Sequence, residues 1–268
     1  MELLVGAKTD VGQTRKNNED NFLVMEKPRL FLVADGMGGH ASGEVASRMA
    51  VEVVRDYFHE TGKKRDLQIG AYNTEYSEEA NRLGSAIRLA NMAIHEAAAG
   101  NPAWQGMGTT VVAGLLNGWR LSIAHVGDSR LYLIRAGGIE QLTDDHSVVA
   151  EQVKRDLISK EQAQQSEMKS ILTRALGTEA DVEVDLCELT LADQDALVLC
   201  TDGLSNMMTD DDIVTVVSSC RDPDAACQAL VDLANGNGGK DNITVVTAYL
   251  RKEGWFSSLL KILGWGRR

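Results

Sequence analysis

Apolar residues recur along this chain with two different periods, and the two alternate in blocks. Short Val-, Ile-, Leu- and Phe-rich runs at residues 3–9, 22–25 and 30–34 predict strands. Residues 43–58 then place Val45, Met49, Val53 and Tyr57 on one face with Ala46, Ala50 and Val54 beside them, which is helical spacing. Residues 75–99 repeat that pattern through Leu83, Ile87, Ala90 and Ile94, and the polar stretch 61–74 between the two predicts a loop. A meander follows at 109–116, 120–126 and 130–135. Its turns fall at Asn117-Gly118, a strong hairpin signal, and at Gly127-Asp128-Ser129. Residues 144–177 are polar, charged and helix-prone, which predicts an excursion from the sheet, a flap. Strands resume at 182–189, 196–201 and 243–249, with helices near 210–219 and 223–234 between them. Blocks of antiparallel strands separated by helices predict an α+β domain with sheets inside and helices outside.

Composition changes this picture little but narrows the chemistry. The chain has 268 residues, of which 44% are apolar, enough for a substantial core. A net charge of −12 argues against general nucleic-acid binding, which needs Lys and Arg against phosphates. Cys187, Cys200, Cys220 and Cys227 show no CxxC spacing; Cys187 and Cys200 fall in strand-like runs and read as small buried residues, and a reducing cytoplasm is expected. No signal peptide is visible at the N-terminus, and no run approaches the ~18 apolar residues of a membrane-spanning helix. Residues 251–268 differ from the rest. Five cations against Glu253 give them a net charge of +4, and Trp255, Phe256, Leu259, Leu260, Ile262, Leu263 and Trp265 crowd the stretch. The tail reads either as a terminal helix packed on its own domain or as a basic amphipathic segment that docks a partner or a membrane surface.

The candidate chemistry lies where strands begin and end. Two apolar runs finish in the same dipeptide, Asp35-Gly36 and Asp202-Gly203, while Glu19-Asp20 and Asp241 stand just before strands. In an antiparallel sheet the end of one strand lies beside the start of its neighbour, so these acids can gather on one edge. Asp128 in the Gly127-Asp128-Ser129 turn adds another. Clustered carboxylates repel unless a cation sits among them, and hard divalent ions with oxygen ligands are the usual answer. The Gly36 carbonyl is a further candidate ligand, because glycines let the backbone approach a metal closely. Arg15, three to five residues before Asn18-Glu19-Asp20, has the bidentate geometry for a phosphate. Gly36-x-Gly38-x-x-Ala41 also matches a dinucleotide fingerprint, but that motif opens a βαβ unit, and here helix is followed by helix.

At this point the residues carry a family resemblance. Residues 1–250 contain, in order, Asp10-x-Gly12-x-x-Arg15-x-x-Asn18-Glu19-Asp20, Val33-Ala34-Asp35-Gly36-Met37-Gly38-Gly39, Met107-Gly108-Thr109-Thr110, Val126-Gly127-Asp128-Ser129-Arg130, Thr201-Asp202-Gly203-Leu204 and Lys240-Asp241-Asn242-Ile243-Thr244. This series resembles bacterial metal-dependent protein serine/threonine phosphatases of the type 2C (PPM) class. The resemblance implies a four-layer α-β-β-α sandwich, with two central antiparallel sheets flanked by helices. It implies a catalytic domain over 1–250, with a flap at about 145–175 and a separate tail at 251–268.

The resemblance also implies two core Mn²⁺ or Mg²⁺ ions bridged by Asp35. Asp202 and Asp241 complete the first, and Glu19 with the Gly36 carbonyl holds the second. Asp128 supports a weaker third ion, Arg15 grips the substrate phosphate, and Asp20 orients ligands from behind. The implied reaction is hydrolysis of phosphoserine and phosphothreonine in proteins. Hydroxide formed between the ions attacks phosphorus, reversing a cognate Ser/Thr kinase. A monomer is expected. Met37 stands where many eukaryotic members have a histidine proposed as general acid, leaving His40 either as a proton donor or as a solvated loop residue. His146, in Asp144-Asp145-His146-Ser147, reads as structural. The alternative of a catalytically inactive phosphoprotein-binding relative predicts loss of a metal acid or of the arginine. A phosphatase restricted to one regulatory partner predicts wider departures from these motifs.

Overall fold

The computed structural model describes residues 1–38, 42–61, 67–159, 162–163 and 165–252. Two antiparallel sheets stack face to face, with a helix layer outside each. The first sheet is ordered β1-β11-β10-β7-β8, from β1 (Glu2–Asp10), β11 (Ile243–Arg251), β10 (Ala196–Cys200), β7 (Arg130–Arg135) and β8 (Gly138–Gln141). The second is ordered β2-β3-β5-β6-β9, from β2 (Asp20–Met25), β3 (Leu30–Met37), β5 (Val111–Asn117), β6 (Arg120–Val126) and β9 (Asp185–Thr190). The two-residue β4 (Gly108–Thr109) pairs with the end of β3. Helices α1 (Ser42–Thr61) and α2 (Glu78–Gly100) cover the second sheet. Helices α5 (Asp210–Ser219) and α6 (Pro223–Gly236) cover the first. Between these lie α3 (Val148–Lys154) and the single turn α4 (Asp202–Ser205). This is the expected four-layer sandwich.

The strands are apolar on both faces because both faces are covered. On β3, Leu30, Leu32 and Ala34 pack toward α1 and α2, while Phe31 and Val33 enter the layer between the sheets. There they meet Ile123, Leu131, Leu199 and Val246. On the other side Val198 and Val245 pack with Ile213, Val217, Leu230 and Val231 of the outer helices. Replacing Leu32, fully buried under both helices, with Ala is expected to cost about 2–5 kcal/mol. A urea titration should show this as a lower midpoint at unchanged slope.

The observed elements shift several expected boundaries. β2 begins at Asp20 rather than 22, and β3 runs on to Met37, so Asp35-Gly36 lie inside a strand rather than after one. The extension follows from pairing, since Gly36 and Met37 align with Thr109 and Gly108 of β4. The run at 182–189 becomes a strand only over Asp185–Thr190, where it pairs with β6. α2 starts at Glu78 because Ser77 caps it, accepting a hydrogen bond from the Ala80 amide. The expected flap contains α3 and is closed at its base by a bridge between Ser147 and Leu172. β11 extends through Arg251, which pairs with Glu2, so the expected tail begins inside a strand. Residues 253–268 of that tail, His40 and residues 62–66 of the predicted loop lie outside the described residues. Among the described residues no helix is long and apolar enough to cross a membrane.

Candidate metal centre

The acids converge at one end of the sandwich, and backbone pairing does most of the placing. Asp20 and Asp35 face each other directly in the β2–β3 ladder. Asp35 is pinned through its backbone: its amide donates to Thr110 Oγ1 at 3.1 Å, and its carbonyl accepts from the Thr110 amide and Thr109 Oγ1. Thr110 Oγ1 in turn bonds Ser129 Oγ at 2.7 Å, joining the Asp35 strand to the Asp128 turn.

On the other sheet, the Thr201 amide donates to the Thr244 carbonyl, and the Thr244 amide donates to Thr201 Oγ1, so the ends of β10 and β11 lie together. Asp202 therefore leaves β10 beside Asp241 entering β11. Gly203 allows this approach, since a Cβ there would overlap the Asn242 carbonyl. Across the two sheets, Thr201 Oγ1 donates to Asp20 Oδ2 at 2.8 Å.

The loop after β1 delivers Arg15 and Glu19. Asp10 Oδ1 accepts from the Gly12 amide and from Asn235 Nδ2, and the amides of Gln13 and Thr14 donate to the Gly239 carbonyl. Gly12 has φ +78° and lies against the Asp241 carbonyl, so it must be glycine on both counts. Arg15 Nη2 then reaches Asp241 Oδ2 at 2.7 Å while keeping 56% of its side-chain surface exposed, which leaves room for a second anion. The Asn242 side chain ties the loop down, accepting from the Glu19 amide and donating to the carbonyls of Val11 and Asn17. Glu19 and Gly36 meet across Gly43: a Cβ there would overlap Glu19 Oε2 and stand 2.9 Å from the Gly36 carbonyl oxygen. The Glu19 carboxylate and the Gly36 carbonyl therefore lie close to one another beside Gly43.

All the sequence-predicted site residues (Arg15, Glu19, Asp35, Gly36, Asp128, Asp202 and Asp241) are gathered here. Carboxylates outnumber the cations that reach the cluster, Arg15, Arg130 and Lys169. Burial, then the charges of Asp20, Asp202, Asp128 and Asp241, push the Asp35 carboxyl well above the usual range. Burial, followed by Asp241, raises Asp202. Burial, then Asp202 and Asp145, raise Asp128 to about 8, with Arg130 opposing. Asp20 is raised to about 7, mainly by burial, against its hydrogen bonds to Thr244 and Thr201. Its Oδ1 is buried with no hydrogen-bond partner. A repelling, all-oxygen donor set, with the orphaned Asp20 Oδ1 behind it, fits hard divalent cations such as Mn²⁺ and Mg²⁺.

Several contributors were not singled out from sequence. Asn206 Nδ2 donates to Asp202 Oδ2 at 3.0 Å, a pair four residues apart on one helical turn, and that spacing was the available signal. Lys169 of the flap reaches Asn206 Oδ1 at 3.3 Å, and its charge opposes the rise at Asp202. Thr201 and Thr244 carry no signal of their own. A second grouping, His125, His146 and Asp185, brings its potential ligand atoms within 4.8 Å of one another. Hydrogen bonds already engage two of its members, because His146 Nδ1 accepts from the Gly127 amide and Asp185 accepts from Arg174 Nη1 at 2.6 Å. We read it as a hydrogen-bonded support, with Arg174 supplying the positive charge.

The family profile described as protein phosphatase 2C matches residues 12–234. The chain is 40% identical over 242 residues to the serine/threonine phosphatase stp of Listeria innocua, covering 89% of this chain and 92% of that protein. It also resembles the crystal structure of the Mycobacterium tuberculosis serine/threonine phosphatase PstP/Ppp, with TM-score 0.82 and 35% identity over 93% of this chain and 99% of that one. The catalytic domain of PstP in complex with two manganese ions matches with TM-score 0.80 and 34% identity, covering 93% and 99% of the two chains. The profile match over residues 12–234 and the 40% identity across 89% of the chain, on a two-sheet sandwich shared with those structures, make this chain a member of the protein phosphatase 2C family.

Proposed function

We propose that the acid cluster is the catalytic centre through which this chain, a metal-dependent protein serine/threonine phosphatase, hydrolyses phosphoserine and phosphothreonine. The observation that carries this reading is the convergence of Asp35, Asp202, Asp241, Glu19 and the Gly36 carbonyl from both sheets at one end of the sandwich, with Arg15 beside them. Asp35, Asp202 and Asp241 would hold one ion, with Asp35 shared, and Glu19 with the Gly36 carbonyl the other. Asp128 with Asp202 would hold a weaker third. Bound Mn²⁺ or Mg²⁺ supplies Lewis acidity and an acidified water at neutral pH.

The chain's own groups do the rest. Asp20 receives Thr201 and holds the two sheets in register behind the ligands. Asn206 orients Asp202, and Asn242 orients Glu19. Arg15, whose guanidinium is held charged first by its hydrogen bond to Asp241, presents the rest of its donor fork to phosphoryl oxygens. All these groups are present together, which favours turnover over an inactive phosphoprotein-binding role.

The substrates are phosphoproteins. We assign the opposing step to a cognate Ser/Thr kinase and expect a monomer, and four unpaired cysteines fit a reducing cytoplasm. Residues 1–250 would form the catalytic domain, with a flap over about 145–175. The basic tail at 251–268 would be an appendage able to dock a partner or membrane surface.

Hydrolysis of a phosphothreonine peptide should require added Mn²⁺ and vanish with EDTA; turnover unaffected by chelation would sink this reading. Arg15→Ala should raise KM for that peptide about ten- to a hundredfold, because a charge-assisted bidentate contact of roughly 1.5–3 kcal/mol is lost. Steady-state kinetics at saturating Mn²⁺ would show it.

A further inference from the structure

We propose that His146 is a positioning residue that sets the Asp128 turn and locks it to the base of the flap. His146 holds Gly127 at two points: its amide donates to the Gly127 carbonyl at 2.9 Å, and its Nδ1 accepts from the Gly127 amide at 3.1 Å. Accepting at Nδ1 places the ring proton on Nε2, which faces Asp185 Oδ2 at 3.2 Å. Asp185 is held ionised by His146 and by Arg174, which donates to its other oxygen. The buried His125 ring stacks on His146 at 4.7 Å between centroids and donates through Nε2 to the Asp144 carbonyl. The imidazole is thus fixed in position, rotation and tautomer.

What it fixes is the residue before Asp128. Gly127 has φ +106°, and a Cβ there would stand 2.6 Å from the Thr110 side chain, so the turn fits only while Gly127 stays in place. The same histidine closes the flap. Its carbonyl accepts from the Thr173 amide at 2.9 Å, and the neighbouring Ser147 bridges Leu172. Both ends of the flap therefore meet at the residue that holds the Asp128 turn. Displacement of one would be felt by the other.

The inference rests on the reading of Asp128 as ligand of a weaker metal site, and binding measurements separate the two. Free Mn²⁺ is counted by electron paramagnetic resonance during titration of the wild-type chain and of Asp128→Ala, His146→Ala, His146→Asn and His146→Gln. Asp128→Ala should lose the weakest class of sites and keep the tight class. His146→Ala should weaken that class by about tenfold or more, the scale of lost outer-sphere support, with the tight class unchanged. Asn places an amide oxygen where Nδ1 stands, so His146→Asn should restore binding to within about threefold of wild type. Gln reaches toward Asp185 instead, and His146→Gln should behave like His146→Ala.

Wild-type affinity in His146→Ala, beside a loss in Asp128→Ala, would overturn the positioning role and leave the Asp128 reading standing. Equal rescue by Asn and Gln would also overturn it. Unchanged binding in Asp128→Ala would overturn the metal reading and this inference with it. Should His146→Ala also lose the tight class, the contrast between Asn and Gln decides.

Discussion

Asp35→Asn is expected to leave the fold intact, lower kcat roughly a thousandfold, and raise the thermal stability of the metal-free protein. The contacts that place residue 35 are made by its backbone, with Thr109 and Thr110, and an isosteric amide does not disturb them. What changes is the carboxylate lying among Asp20, Asp202, Asp128 and Asp241. Losing the shared ligand forfeits several kcal/mol of charge stabilisation in the transition state, about 4 for a thousandfold effect. The same change removes a carboxyl raised first by burial and then by the like charges around it, so the apoprotein gains where the holoenzyme loses. Phosphopeptide turnover with Mn²⁺ and a melting curve in EDTA check both halves. Substantial Mn²⁺-dependent turnover by the variant would remove Asp35 from the centre.

In EDTA the wild-type protein should become less stable as pH rises from 5 to 8. Asp20 and Asp128 are raised from the ordinary carboxylate range to about 7 and about 8, and Asp35 and Asp202 are raised with them. A carboxyl raised in the folded state binds more protons there than in the unfolded chain. Its contribution is therefore complete below the unfolded pKa near 4 and is lost as pH climbs through the folded value. The loss should total on the order of a few kcal/mol, a fall in Tm of about 10 °C for a chain of this size. Mn²⁺ supplies the missing positive charge, so its stabilising effect should grow over the same window. Melting curves at pH 5, 6.5 and 8, with and without Mn²⁺, test this. A metal-free Tm that holds steady or rises toward pH 8 would contradict the buried, carboxylate-rich cluster.

Much of this was readable because the signals are local. The helices over 43–58 and 75–99 follow from 3.6-residue spacing, and the 109–135 meander follows from its turn residues. The acids stand out because Asp-Gly and Asp-Asn punctuate apolar runs. Extents were less legible where pairing sets them. β3 continues past Asp35 because β4 meets it, and 182–184 stays out of β9 because the β6 ladder begins at Asp185. Short bridging strands such as β4 and β8 have too few residues for any period to show.

Residue type and spacing alone carry the layered α+β architecture, the set of acids at strand ends, and Arg15 just ahead of Glu19 and Asp20. Each is encoded along a single run. Only the tertiary structure decided which of those acids face one another, through the β2–β3 register, the Thr201–Thr244 pairing and the approach of Glu19 to Gly36 across Gly43. It also decided the supports, Asn206 behind Asp202, Asn242 behind Glu19, and His146 around Gly127. A carboxylate's chemistry depends on burial and on charges a few ångström away. Those neighbours lie up to more than two hundred positions distant along the chain, as Arg15 and Asp241 do, where no local pattern can place them.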